Sequence, residues 1–188
     1  MTVLPWEELE SKTLCTTRVF TVREDLARSQ SNGREKGFAV IEAPDWVNVI
    51  ALTDAGKVLL IRQYRQGTKE VTVEIPGGMA ERGEDPLEAA KRELFEETGY
   101  EALTWEAIGS VTPNPAIQTN RTFTYIARGA HPAGDPQPDE DEEIEVEEVP
   151  LTRVPRLIAD QTIEHSLVVC AFAFLSMKGL LDLSAESG

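Results

Sequence analysis

Between Glu70 and Gly99 the chain runs through a short alternating stretch, a glycine pair and a helix with three carboxylates on one face. Glu70–Ile75 (EVTVEI) alternates as a strand would, and Pro76-Gly77-Gly78 breaks it. Asp85 is placed to cap a helix that opens on Pro86, where a missing N–H costs nothing. Gly99 supplies its stop, so the helix is predicted to end near Thr98. Glu93, Glu96 and Glu97 stand at i, i+3 and i+4 and share one side of it. Leu87, Ala90 and Leu94 form an adjacent apolar stripe, while Glu88, Lys91 and Phe95 point elsewhere. Like charges at this spacing repel by roughly a few tenths of a kcal/mol per pair. Helix geometry alone leaves two readings open: a solvated acidic face relieved by Lys and Arg, or a site for a hard divalent cation.

The flanking chain reads as strand-rich. Thr17–Asp25 and Gly37–Glu42 read as strands that could form a hairpin across Ser31-Asn32-Gly33-Arg34. Val47–Leu52 and Lys57–Tyr64 flank the turn Thr53-Asp54-Ala55-Gly56 and read as a strong hairpin. Strands are also expected within 102–112, 121–128 and 144–149, a short helix over Leu151–Ala159 and an apolar helix over Ile163–Leu181. Gly129–Glu143, rich in proline and acid, reads as an exposed loop. A net charge of −15 argues against a nucleic-acid partner, and an anionic substrate would need a cation to screen it. The longest uncharged run, Ser166–Met177, is too short to span a bilayer, and no signal peptide is visible. Cys15 and Cys170 read as two buried thiols of a reduced, cytoplasmic protein.

Residues 77–100, GGMAERGEDPLEAAKRELFEETGY, resemble the Nudix box G-x5-E-x7-R-E-U-x-E-E-x-G-U, where U is a bulky apolar residue. Gly78, Glu84, Arg92-Glu93, Leu94, Glu96-Glu97 and Gly99 hold their places, and Tyr100 is an aromatic at the final U. The resemblance implies an α/β fold, the Nudix α/β/α sandwich with a mixed sheet, over 45–182. It also implies a small N-terminal β extension over 1–44; at the other end, 183–188 reads as a flexible tail. It implies metal ligation by Glu93, Glu96 and Glu97 with the Gly78 carbonyl, orientation of these carboxylates by Arg92, and support from Glu84. The implied cofactor is Mg²⁺, with Mn²⁺ as a substitute.

Arg62-Gln63-Tyr64-Arg65, Glu74-Ile75-Pro76-Gly77-Gly78 and the loop Pro113-Asn114-Pro115 resemble the branch that cleaves ADP-ribose and other nucleoside diphosphate sugars. In that branch the N-terminal strands pair between two subunits, which implies a homodimer. The pattern of its late acidic loop puts the catalytic base at Glu140 and a further metal contact at Glu142. Arg65 is a candidate for a phosphate, Trp46 for the base, and Asn114, Gln118 and Asn120 for the terminal sugar. Each has a plainer role available, in strand, core or turn. The loop Asn114–Asn120 departs from the Pro-Gly-x-Ser-x-Glu loop common in ADP-ribose enzymes, so GDP-mannose or a similar nucleotide sugar fits equally. The alternatives are a housecleaning nucleoside triphosphate pyrophosphohydrolase and a non-catalytic nucleotide-sensing module.

Overall fold

The computed structural model describes residues 2–138 and 142–183. Glu140, the expected base, lies outside the described residues. The chain divides into two compact units, Met1–Pro44 with Thr112–Arg121, and Asp45–Val111 with Thr122–Gly188.

The first unit is an antiparallel sheet of β1 (Trp6–Thr16), β2 (Thr21–Ser29) and β3 (Glu35–Glu42), in that order. β2 pairs with β3 from Thr21↔Glu42 to Arg28↔Glu35, the hairpin expected from sequence, with Gly33 turning at φ 71°. β1 was not anticipated: its residues are all exposed, so no buried face imposes an alternation. Cys15 lies on it and is exposed, which corrects the reading of two buried thiols. The segment Thr112–Arg121 runs beside β3, where the Ile41 N–H donates to the Ile117 carbonyl at 2.7 Å.

In the second unit a mixed sheet takes the order β11-β5-β4-β9-β8, with β6 also paired to β5. Its strands are β4 (Trp46–Leu52), β5 (Lys57–Arg65), β6 (Glu70–Glu74), β8 (Thr104–Val111), β9 (Thr122–Arg128) and β11 (Ile144–Pro150). β4 and β9 are parallel, and the other pairings are antiparallel. Helix α1 (Pro86–Thr98) covers one face, where Ala89, Ala90 and Leu94 pack on Val47, Val49, Ala51 and Leu59. Helices α2 (Val154–Ala159) and α3 (Ser166–Met177) cover the other, where Val168, Ala171 and Phe172 pack on Ile50, Leu60 and Ile126. The result is the α/β/α arrangement expected from sequence. Among the described residues, no helix is long and apolar enough to cross a membrane.

Three expectations are corrected. The 53–56 turn forms as read, but β4 and β5 share only the Leu52↔Val58 pair. Beyond it, Pro76 and Gly78 accept from the Val49 and Val47 N–H groups at 2.8 and 2.9 Å, so the β6 exit loop takes over the edge of β4. The last helix is shorter than Ile163–Leu181 because His165 is extended and Gly179 turns left-handed after Lys178. The proline-rich segment is not merely a solvated loop. His131–Pro132 (β10) pairs with Tyr100–Glu101 (β7), and the Ala133 and Gln137 N–H groups donate to the Gly99 and Glu96 carbonyls. The segment thereby satisfies backbone acceptors that a helix end leaves orphaned.

Candidate active site

α1 begins and ends as its sequence dictates. The Asp85 carboxylate accepts from the Leu87 N–H at 2.9 Å, and Gly99 closes the helix at φ 70° with its N–H on the Phe95 carbonyl. With those ends fixed, Leu94 faces the sheet and Glu97 is drawn in beside it at 3% exposure. The Gly77 N–H donates to Glu97 at 2.8 Å. Burial pushes the Glu97 carboxyl well above its usual range, with Glu93 and Glu142 adding to the rise and the Gly77 N–H opposing it. Burial likewise raises Glu93 to about 7, against the pull of Arg92 and with the help of Glu96 and Glu142.

The glycine pair is required by close approach. A Cβ at Gly77 would collide with the Val47 carbonyl, and one at Gly78 would lie 2.6 Å from the Glu93 carboxyl. Arg92 ties loop to helix: it grips Glu84 with two hydrogen bonds of 3.0 Å and reaches the Met79 carbonyl at 3.1 Å. Its Nη1 donates to one oxygen each of Glu93 and Glu96 at 2.9 Å. Among the described residues, no three side chains of Asp, Glu, His or Cys are gathered tightly enough to hold an ion as they stand. The donor set nevertheless fits a hard divalent cation, being carboxylate oxygens with a backbone carbonyl nearby. Two acids raised chiefly by burial, the half-buried Glu93 packed against Gly78 and the buried Glu97, are what a bound cation would stabilise.

Glu142 belongs to this neighbourhood, since its charge acts on Glu93, Glu97 and Arg65. The Gln63 amide donates to it at 3.4 Å. Arg65 is held by Glu74 through bonds of 2.7 and 2.8 Å, and the Thr72 hydroxyl donates to the same carboxylate at 2.6 Å. Glu74, Thr72 and Gln63 were not assigned roles from sequence. Their signal is register: Thr72 pairs with Gln63 and Glu74 with Ile61, so polar residues of two strands meet on one face. His165, also given no role, places Nδ1 3.9 Å from Glu74.

Trp46 bridges Met79 of the box loop, whose carbonyl Arg92 reaches. Trp46 alternates with Asn48 and Ile50, on the α3 face of β4, and Asn48 donates to the Leu167 carbonyl at 3.1 Å. The box helix covers the opposite face. Asn114, Gln118 and Asn120 belong to the first unit. The Asn114 carbonyl accepts from the Ile117 and Gln118 N–H groups, a turn role, while Asn120 is buried.

A helix carrying this spacing of carboxylates, docked on a mixed sheet against a glycine loop, defines a Nudix-type hydrolase. Residues 44–172 match the family model described as NUDIX domain, and the chain belongs to the Nudix family. It is 33% identical over 181 residues to the methanol dehydrogenase activator of Bacillus methanolicus, covering 92% of this chain and 96% of that one. It is 30% identical to the ADP-ribose pyrophosphatase of Bacillus subtilis, covering 94% and 98%. A crystal structure of an ADP compounds hydrolase superposes with a TM-score of 0.83 at 24% identity, over 96% of this chain and 99% of that one.

Proposed function

We propose that the protein hydrolyses the pyrophosphate bond of nucleoside diphosphate sugars, ADP-ribose or GDP-mannose among them, to a nucleoside monophosphate and a sugar phosphate. The observation that carries the reading is the pair of carboxyls of Glu93 and Glu97, raised chiefly by burial and set against the Gly77-Gly78 loop. The relative named ADP-ribose pyrophosphatase, matched over 94% of this chain, supports the substrate class, as do ones named ADP-sugar and GDP-mannose pyrophosphatase, matched over 61% and 66% of it.

Glu93, Glu96 and Glu97, with the Gly78 carbonyl and Glu142, would hold Mg²⁺, or Mn²⁺ in its place. Bound there, such a cation would supply charge neutralisation for a pyrophosphate and acidify a water. Arg92 ties Glu93 and Glu96 together through one nitrogen, and Glu84 anchors Arg92. Arg65, pre-set by Glu74, offers a cationic contact for a phosphate. Glu140 is the proposed acceptor of the attacking water's proton, Trp46 the base-stacking residue, and Asn114, Gln118 and Asn120 the sugar contacts. The protein acts in the cytoplasm as a homodimer built through its N-terminal segment, 1–44, with 45–182 as the hydrolase domain and 183–188 as a tail. The edge strand β1, long and bearing exposed Trp6, Leu9 and Leu14, suits such pairing.

A panel of nucleotide sugars, assayed with Mg²⁺ in oxygen-18-labelled water, tests the reading and reports which phosphorus is attacked. Turnover of sugar nucleotides that collapses in Glu97→Gln and Glu140→Gln supports it. Pyrophosphate release from nucleoside triphosphates, with the sugars inert, overturns it.

A further inference from the structure

Gln63 lies on β5 at 5% exposure, between Thr72 of β6 and Ile144 of β11 in register. β5 alternation puts it on the same face as Leu59, which packs beneath the box helix, and Arg65. Its amide nitrogen donates to Glu142. A carboxylate only accepts, so this contact fixes the amide with nitrogen toward Glu142 and oxygen away. That oxygen is fully buried and has no hydrogen-bond partner among the described residues. The same face of β5 carries Ile61, fully buried and apolar, so an aliphatic residue would fill this position without an orphaned acceptor.

We infer that Gln63 is a positioning residue of the hydrolytic site: its N–H₂ holds Glu142, and its amide oxygen accepts from an O–H brought in by water or substrate. The inference rests on the proposed cation site with Glu142 at its rim. A side chain kept polar where packing favours an apolar one exchanges stability for function. Gln63→Leu is therefore expected to keep or raise the melting temperature while damaging the site.

The test compares Gln63→Leu, Gln63→Glu and Glu97→Gln with the parent. It uses Mn²⁺ binding by electron paramagnetic resonance without substrate, thermal melting, and kcat and KM on ADP-ribose and GDP-mannose. Gln63→Leu is expected to weaken Mn²⁺ binding about tenfold, with an undiminished melting temperature. Gln63→Glu, which places a second carboxylate against Glu142, loses turnover as well. A fall in kcat at constant KM assigns the O–H to water. A rise in KM on one sugar nucleotide and not the other assigns it to a substrate hydroxyl. Parent-like Mn²⁺ binding and kinetics in Gln63→Leu overturn the inference, as does a lowered melting temperature with function intact. If Glu97→Gln also leaves Mn²⁺ binding unchanged, the cation site itself fails; if Glu97→Gln abolishes binding while Gln63→Leu does not alter it, only the role of Gln63 falls.

Discussion

Arg92 makes five hydrogen bonds to four partners, Glu84, Glu93, Glu96 and the Met79 carbonyl, and only a planar fork can serve them together. Arg92→Lys keeps the charge and loses the geometry, so kcat is expected to fall on the order of 10–100-fold, measured at saturating Mg²⁺. Glu93 sets a pH signature. Its carboxyl is raised from 4.5 to about 7 in the fold, so between those values the folded chain keeps a proton that the unfolded chain has released. That contribution is complete below about 4.5 and is lost as pH rises through about 7. Glu97 shifts in the same direction. The lowered carboxyls of Glu74, Glu84 and Asp25 act the other way, chiefly below the ordinary carboxylate range. In chelator, the melting temperature is expected to decline from about pH 4.5 to about pH 7, and less steeply in Glu93→Gln. A flat profile in the parent would contradict the burial assigned to Glu93. The helix spacing made these glutamates legible as a set. It carried no sign of which is most deeply buried, because that depends on the Gly77 N–H, which reaches Glu97 from twenty residues away.

Among the elements, α1 is the most legible because its punctuation is local: Asp85 caps, Pro86 opens, Gly99 ends. Gly99→Ala must hold an alanine at φ 70° with its Cβ against the Gly134 carbonyl. The cost is expected to be about 1–2 kcal/mol in denaturant unfolding, with activity falling as the 133–137 strap loosens from the helix end. Asp85→Ala, which removes only the cap bond to Leu87, is expected to cost about 1 kcal/mol. β4 and β5 were legible as strands but not as partners. Turn chemistry at 53–56 brings their ends together, and the insertion of Pro76–Gly78 along β4 is a tertiary event that no local pattern records. The strap was hidden for a similar reason. Its hydrogen bonds come from backbone groups of Ala133, Gly134 and Gln137, which composition does not distinguish from loop.

Over the whole molecule, charge and association carry the argument. The N-terminal strands were only partly legible because β1 buries no face, and it leaves Leu9 and Leu14 exposed on a sheet edge. The proposed homodimer through β1 is tested by Leu9→Lys combined with Leu14→Lys: a dimeric parent and a monomeric double variant in sedimentation equilibrium, with far-ultraviolet circular dichroism unchanged, are the expected outcome. A charge of −15 bears on every encounter with a substrate whose pyrophosphate is itself anionic. The mean field repels the substrate, and the local cation site must overcome that repulsion. Salt shortens the reach of such fields, to about 8 Å near physiological ionic strength. Raising inert salt should therefore weaken the repulsion at long range while leaving the buried contacts at Glu93 and Glu97 largely unscreened. With Mg²⁺ held saturating at each salt concentration, kcat/KM is expected to rise by a few fold through KM, and kcat to stay level. A steep fall would mean that a basic approach path steers the substrate, which would place Arg65 and its neighbours in the encounter rather than only in the bound complex.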